Sequence, residues 1–327
     1  MAGGPPLGKA AGALLGARVM TGGTDIAARI DADAMLRETC AWAAINSGTG
    51  NLPGLAQVAG LLADAFSALP GEVTLVEPAP VTAIDTAGQE VVRDHGHHLV
   101  LRVRPEAERR VLLTGHMDTV YPADHPFQKV TRIDPETIGG PGTADMKGGL
   151  SVMLHALSAF EATPEASRLG YDVLINSDEE TGSLSSAALI AELARGKHAA
   201  LTYEPSALPD GTLAHARGGT GNYSVTIRGR SAHAGRNPHD GRNAIAAAAE
   251  LVLRLTRLED EDITINPARI DGGSANNVVP DLAILRFNIR PRTTAATARF
   301  EGQFADLCVE LEDLREVAIS RHGASTA

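Results

Sequence analysis

With 327 residues, the chain is too long for one ordinary hydrophobic core, so two domains are expected. Hydrophobic residues make up 43% of it, which is enough to bury a core and argues against a disordered protein. The formal net charge of −11 argues against a nucleic-acid partner, because phosphate binding requires a basic face.

The two cysteines, Cys40 and Cys308, form no CxxC motif and no framework for disulfide pairing. A reducing compartment, the cytoplasm, is therefore expected. The Gly- and Ala-rich start at 1–23 has a short apolar run and only Lys9 before it, which makes a poor signal peptide. We interpret it as a disordered or mis-assigned start. No stretch is long and apolar enough to span a membrane, so no membrane partner is expected.

Predicted helices and strands alternate as far as residue 203. Apolar residues recur at helical spacing after Asn51, at Leu55, Val58, Leu62 and Phe66. Leu99, Leu101 and Val103 are set against Arg102 and Arg104 in an alternating pattern, as in a half-exposed strand at 99–103. Continuous apolar runs predict strands buried on both faces at 111–114, 172–176 and 199–203. Helices are predicted at 147–160 and at 183–195, the latter with Ser183 as its N-cap. This order is typical of a doubly wound α/β sheet.

The pattern changes after about residue 214. The predicted elements are a strand at 221–229, a helix at 241–258, strands at 263–270 and 281–290, a helix at 294–312 and a strand at 316–320. The order β-α-β-β-α-β is that of a split βαβ sandwich, which is complete in itself. A domain boundary is therefore expected near residue 214.

Acidic and histidine residues follow each predicted buried strand. They are His116 and Asp118 after the first, Glu179 and Glu180 after the second, and Glu204 after the third, while Asp145 precedes a helix. In open α/β sheets, ligands bind beyond the carboxyl ends of the strands, so these side chains should share one edge. So many carboxylates would repel one another unless cations compensate them. Mixed imidazole and carboxylate ligands suit zinc, cobalt or manganese.

Each cluster alone also has an ordinary explanation. A single His-x-Asp is usually a polar turn, Asp145 can be a helix N-cap, and Glu179–Glu180 can be an exposed acidic turn. The coincidence of four clusters at one edge favours a metal site. The histidine-rich stretch 94–98 looks metal-binding, but we interpret it as a turn before an exposed strand, without function. A serine hydrolase lacks support because no Gly-x-Ser-x-Gly elbow is present.

Four motifs together resemble a known family. They are Gly-His-Met-Asp-Thr-Val at 115–120, Gly-Thr-Ala-Asp-Met-Lys-Gly-Gly at 142–149, Asp-Glu-Glu-Thr-Gly-Ser at 178–183 and Glu-Pro-Ser at 204–206. The family is the zinc-dependent one of acetylornithine deacetylase, succinyl-diaminopimelate desuccinylase, aminoacylase and glutamate carboxypeptidase. The stretch His-Met-Asp-Thr-Val-Tyr-Pro is most similar to the glutamate carboxypeptidase branch. The resemblance covers about residues 40–322.

The resemblance implies a fold, a cofactor and an activity. Residues 1–213 would form an α/β metal-binding catalytic domain with a doubly wound mixed sheet, and 214–327 an inserted β-α-β-β-α-β lid or dimerisation domain. The cofactor would be two divalent ions, Zn²⁺ with Co²⁺ or Mn²⁺ as alternatives. The reaction would be hydrolysis of an amide bond in N-acyl amino acids or small peptides with a free carboxylate, as in a metallopeptidase, carboxypeptidase or deacylase.

The resemblance also implies roles at the strand ends. Asp145 would bridge the two metals, His116 and Glu204 would bind one of them, and Glu180 would bind the other. Glu179 would be the general base that takes a proton from a water shared by the metals. Asp118 would orient His116.

In the lid, the resemblance implies three substrate-binding residues. His233 would reach across a homodimer into the partner's site, while Asn277 and Arg290 would grip the carboxylate or carbonyl of the substrate. Without the resemblance, His233 would be an ordinary loop histidine and Arg290 a solvated strand end.

Family members return from the lid to the catalytic domain and add a last metal-binding histidine. Here the predicted last strand of the lid runs into Arg321-His322-Gly323, and the sequence given ends at Ala327. His322 falls at the lid exit and is not assigned as a ligand. The catalytic domain is therefore expected to be incomplete. The alternative function is an impaired fragment that acts only as a metal-binding or dimerising module.

Overall fold

The computed structural model describes residues 27–28, 30–206, 208, 211–214 and 217–326, so the interpretation of 1–23 lies outside the described residues. The chain divides into two compact units. The first ends at Pro78 and resumes from His95 to Pro205, and the second comprises Ala79–Asp94 and the chain from Ser206 onward. Among the described residues, no helix combines the length and apolarity needed to cross a bilayer.

The first unit contains a mixed five-stranded sheet with helices on both faces. Its helices are α1 (Ala32–Ala43), α2 (Leu52–Phe66), α3 (Gly148–Glu161) and α4 (Ala187–Ala194). Its sheet strands are β1 (Glu72–Val76), β4 (His98–Val103), β5 (Arg109–His116), β8 (Leu169–Asn176) and β9 (Ala199–Thr202), and the short strands β6 (Thr131–Arg132) and β7 (Ile138–Gly139) form a separate hairpin. The strand order is β1-β4-β8-β5-β9, with β8, β5 and β9 parallel and β1 and β4 antiparallel to their neighbours. The predicted doubly wound mixed sheet is confirmed.

Local sequence explains the helix that was predicted after Asn51. The Asn51 side chain accepts a hydrogen bond from the Gly54 N–H and caps α2, and Pro53 lies in its first turn. The apolar stripe of α2 and that of α3 pack on one face of the sheet, whereas Leu193 of α4 packs on the other face with Val100, Leu112 and Leu174. Helix α1 was not predicted, because only Thr39, Trp42 and Ala43 of its twelve residues are buried.

Three details predicted for the first unit are wrong, two about strands and one about a helix. β4 is not half-exposed, because it lies between β1 and β8 with both faces covered, and only Arg102 in it is exposed. β9 is a strand but not a buried one, because in the described residues it pairs only with β5, at the edge. Ser183 is not an N-cap: it has a φ of 56° in a turn, and α4 begins at Ala187, after Ser186.

The second unit is the predicted β-α-β-β-α-β sandwich. Its elements are β10 (Thr220–Arg228), α5 (Ala244–Leu255), β11 (Ile263–Gly272), β12 (Leu282–Pro291), α6 (Thr294–Arg315) and β13 (Ala318–Thr326). The strand order β11-β12-β10-β13 is antiparallel throughout, so β12 lies between β10 and β11 as in a split βαβ unit. The two helices cover one face, where Tyr223 and Phe287 stack at 5.1 Å and contact Phe300 and Phe304.

A hairpin from earlier in the chain packs on the opposite face of this sheet. It consists of β2 (Val81–Ile84) and β3 (Glu90–Arg93), which the boundary near residue 214 would group with the first domain. The Arg286 guanidinium donates to the Ile84 and Asp85 carbonyls, and Arg228 donates to the Gly88 carbonyl. These bonds satisfy backbone acceptors of the hairpin and explain why residues 79–94 belong to the second unit.

The interior of the second unit gives a stability prediction. Leu251 on α5 is fully buried, whereas Leu253 two residues away is 61% exposed. Leu251→Ala should lower the free energy of unfolding of this unit by about 2–5 kcal/mol, because it leaves a cavity. Leu253→Ala is the matched control and should change it by less than about 0.5 kcal/mol. Urea unfolding curves would measure both values, and equal effects would contradict the described packing of α5.

Candidate metal site

The parallel strands of the first unit bring the predicted site residues together. His116 is the last residue of β5 and pairs with Asn176, the last residue of β8. Because β5, β8 and β9 are parallel, the residues that follow them emerge at the same edge of the sheet. Asp118, Glu179, Glu180 and Glu204 follow these ends, and Asp145 precedes α3 at the same edge.

His116 lies at the centre of this edge with its side chain 1% exposed. Its Nδ1 is 3.1 Å from the Asp118 carbonyl oxygen and 3.3 Å from Asp118 Oδ1. Its Nε2 is 3.0 Å from Asp145 Oδ1 and 3.5 Å from Glu204 Oε1. Burial alone would lower the pKa of His116, but hydrogen bonds with the Asp118 and Glu204 carboxylates outweigh it and raise the pKa to about 11.

Asp118 is a fully buried carboxylate that joins three segments. Its Oδ2 accepts hydrogen bonds from Thr49 Oγ1 at 2.7 Å and from the Glu180 N–H at 3.2 Å. Its Oδ1 accepts from the Glu179 N–H at 3.2 Å. The turn that carries both glutamates is therefore attached to the end of β5 by this one side chain.

Burial and neighbouring negative charges raise the pKa of three further carboxylates at this edge. Burial raises the pKa of Glu180 to about 7; the charge of His116 opposes this increase, and the negative charge of Asp145 adds to it. Burial also raises the pKa of Glu179 and of Asp145, and in both cases Glu204 adds to the increase. Negative charges that repel in this way favour a cation between them.

The side chains of this edge can hold a divalent metal ion. In the described residues, ligand atoms lie within 4.8 Å of one another in two groups that share His116: one adds Glu179 and Glu204, and the other adds Asp145 and Glu180. An imidazole with carboxylates is a donor set typical of zinc and neighbouring transition metals. The structure thus brings together all of the predicted ligands of the first unit.

Lys147 and Thr49 were missed by the sequence analysis. Lys147 is 1% exposed, its Nζ donates to the Ile45 carbonyl at 3.1 Å, and burial lowers its pKa to about 8, an effect that Asp118 opposes. Lys147 lies in the motif around Asp145, but nothing in the local pattern shows that its side chain points inward. Thr49 is 69 residues from Asp118 and carried no signal.

The predicted lid residues lie in the second unit. The exposed His233 and Asn277 are neighbours: His233 pairs with Val278, and the Ala234 N–H donates to the Asn277 carbonyl at 2.9 Å. Arg290 is exposed near the end of β12. At about 3.3 Å per residue, it lies about 26 Å along the strand from Leu282, the first residue of β12. His322 lies in β13 opposite Ser224.

Two models of known protein families match this chain, one within each unit. Residues 98–204 match the model described as Peptidase family M28, and residues 215–313 match the Peptidase dimerisation domain. Carboxypeptidase G2 of Pseudomonas sp. (strain RS-16) is 31% identical over 248 residues, which cover 75% of this chain and 57% of that protein. A putative succinyl-diaminopimelate desuccinylase of Mycobacterium tuberculosis is 30% identical over 259 residues, which cover 73% of this chain and 69% of that protein.

Solved structures share the fold. A tripeptidase from Staphylococcus aureus aligns with 90% of this chain and 76% of its own, with a TM-score of 0.63 and 24% identity. An M20 family metallo-carboxypeptidase from Sulfolobus solfataricus aligns with 88% of this chain and 77% of its own, with a TM-score of 0.64 and 15% identity.

The alignments also set the extent of the match. The chain spans only 57% and 52% of the first two curated relatives, carboxypeptidase G2 and a desuccinylase of Xanthomonas oryzae pv. oryzae. The resemblance seen in the four motifs is nevertheless confirmed by the M. tuberculosis relative, of which the chain covers more than two thirds. The chain belongs to the M20 metallopeptidase family.

Proposed function

We propose that this protein is a metal-dependent hydrolase that cleaves an amide bond of N-acyl amino acids or small peptides bearing a free carboxylate. The observation that carries the proposal is the cluster of one buried imidazole and several carboxylates at the edge of the sheet. The curated relatives named as a carboxypeptidase and as desuccinylases support this substrate class.

Two divalent ions, Zn²⁺ with Co²⁺ or Mn²⁺ as alternatives, would be held by the clustered side chains. In this proposal Asp145 would be a ligand of both ions, His116 and Glu204 would hold one, and Glu180 would hold the other. Bound ions would supply Lewis acidity, polarising the scissile carbonyl and acidifying a water molecule. The fit is chemical: the site offers nitrogen and carboxylate oxygen donors, and its crowded negative charge calls for cations.

Glu179 is proposed as the general base. Its backbone N–H is fixed by Asp118 at 3.2 Å, and burial raises the pKa of its side chain above the ordinary value. A carboxylate with a raised pKa accepts a proton from water more readily and can then deliver it to the leaving amine. Asp118 is proposed to hold the orientation of His116 through its contacts on the Nδ1 side.

His233 is proposed as the donor that stabilises negative charge on the scissile carbonyl oxygen. Its Nδ1 accepts hydrogen bonds from the Gly235 and Arg236 N–H groups, both at 3.1 Å. The ring proton of the neutral imidazole is therefore on Nε2, where the exposed ring can donate it to a substrate.

Asn277 and Arg290 are proposed to bind the carboxylate or the carbonyl of the substrate. His233 and Asn277 lie at one end of the second unit, whereas Arg290 lies at the other end of β12. This separation supports a homodimer in which each copy of the lid contributes His233 and Asn277 to one active site and Arg290 to another. The cytoplasm is the proposed location, in keeping with the free Cys40 and Cys308.

Glu179→Ala tests the proposed base. The variant should retain bound zinc yet hydrolyse an N-acyl-glutamate about two to four orders of magnitude more slowly, because proton transfer is lost. Zinc content and steady-state rates measure the two effects, with the exposed Glu136→Ala as a control. Near-normal turnover, or loss of zinc, would contradict the assignment. Wild-type protein that binds zinc but hydrolyses no such substrate would favour the alternative, a module that only binds metal or dimerises.

Zinc affinity should depend on pH. In the metal-free protein His116 is protonated from pH 6 to 8, because its pKa is raised to about 11, so zinc must displace that proton. The apparent affinity should increase about tenfold per pH unit, and more steeply below about 7, where Glu180 is also protonated.

Calorimetry at several pH values would measure this dependence. His116→Ala should abolish tight binding, whereas His155→Ala, which removes a histidine bonded to Glu38 on another helix, should preserve it. A zinc affinity that is independent of pH would contradict the role of His116.

Mixing two inactive variants tests whether His233 acts in the partner's site. Glu179→Ala and His233→Ala should each be nearly inactive alone. In their hybrid dimers one site retains Glu179 and receives His233 from the other copy, so mixing should restore about a quarter of wild-type activity. No recovery would place His233 in the site of its own chain. His239→Ala, at another exposed histidine of the same loop, is the control and should remain active.

A further inference from the structure

His98 is a fully buried histidine outside the clustered ligands. It is the first residue of β4, and its ring lies behind the turn that carries Glu179 and Glu180. Its Nδ1 is 3.3 Å from the Ser177 backbone nitrogen and 3.4 Å from Ser177 Oγ, and its Nε2 is 3.3 Å from Ser185 Oγ. Both ring nitrogens therefore face residues that flank this turn.

The donors and acceptors fix one tautomer of His98. A backbone N–H can only donate, and the Ser177 hydroxyl gives its hydrogen to the Gly96 carbonyl at 2.6 Å. Nδ1 is therefore the acceptor for the Ser177 N–H, and Nε2 carries the ring proton and donates it to Ser185 Oγ. Burial lowers the pKa of His98 despite the opposing charge of Asp178, which keeps the ring neutral.

The chain of hydrogen bonds continues to Asp178, the residue before Glu179. Ser185 donates to Asp178 Oδ2 from its hydroxyl at 2.8 Å and from its N–H at 2.7 Å, and the Ser186 hydroxyl donates to Oδ1 at 2.7 Å. The Asp178 carbonyl in turn accepts the Ser183 N–H at 2.8 Å. The start and the end of the turn are thus connected through one carboxylate and one imidazole.

We propose that His98 is a positioning residue that holds the turn 177–186, and with it Glu179, in the geometry that proton transfer requires. Asp118 holds the Glu179 and Glu180 N–H groups on one side, and His98 holds Ser177 and Ser185 on the other. An apolar ring in its place would leave the buried Ser177 N–H without its acceptor and Ser185 without a donor. The catalytic part of this inference rests on the proposed function, whereas the structural part does not.

His98→Phe tests the inference, because it retains a ring and removes both nitrogens. The backbone amides of Ser177 and Ser185 should exchange with solvent at least about tenfold faster. With an N-acyl-glutamate, kcat should decrease about tenfold or more while KM stays within about twofold, because the base is displaced and the proposed substrate-binding residues of the second unit are unchanged. His98→Gln, which keeps one acceptor and one donor, should recover most of both properties.

His155→Phe is the matched control, because it makes the same substitution at another histidine with a hydrogen-bonded ring, a partly buried one on α3. If His98→Phe does not fold, Ser185→Ala replaces it, because it removes only the hydroxyl that links His98 to Asp178. Like His98→Phe, this variant should have faster amide exchange in the turn and a lower kcat.

The inference would be overturned if the Ser177 and Ser185 amides of folded His98→Phe exchanged with solvent within about twofold of the wild-type rate. Equal changes in amide exchange and kcat in His155→Phe would also overturn it. If wild-type protein hydrolyses no substrate, the proposed function fails, and the exchange data alone decide whether His98 holds the turn.

Discussion

The buried carboxylate of Asp118 is the constraint on which the site depends. It lies beside Nδ1 of His116 and accepts three hydrogen bonds, one from the Thr49 hydroxyl and two from backbone N–H groups of the neighbouring turn. A charge buried in this way is tolerated only when several donors satisfy it. The same bonds fix an imidazole from one strand end and two glutamates from another relative to each other. Geometry that would otherwise depend on two separate loops is therefore set by one side chain in the interior.

Electrostatic crowding is the second feature that defines the site. Burial and mutual repulsion raise the pKa of Glu179, Glu180 and Asp145, and the proton on His116 only partly compensates them. A site of this kind stores unfavourable free energy that a divalent cation relieves on binding. The neighbouring Lys147 donates its hydrogen bond to the Ile45 carbonyl rather than to these carboxylates, although the charge of Asp118 favours its protonated form.

Sequence predicted the chemistry of the site better than its surroundings. The grouping of His116, Glu180 and Glu204 follows from one rule, that parallel strands end at the same edge, and requires no knowledge of packing. The burial of β4 did not follow, because Arg102 gives it an alternating pattern although its neighbours cover both faces. His98, in the histidine-rich stretch before this pattern, is likewise not identified by the sequence. Its partners are 79 and 87 residues away, and local patterns carry no information about contacts at that distance.

The hairpin 79–94 has a consequence for the modularity of this protein. Because it packs with the second unit, the polypeptide passes between the two units at 78–79, at 94–95 and again at 205–206. The second unit is therefore not a cassette that a single cut can transfer to another scaffold. A graft that begins after Pro205 would lack β2 and β3, which cover Thr226 and Ile284. Arg228 and Arg286 would then lose the hairpin carbonyls to which they donate hydrogen bonds. Exchange of this unit between relatives, by recombination or by design, has to carry two separate stretches of sequence together.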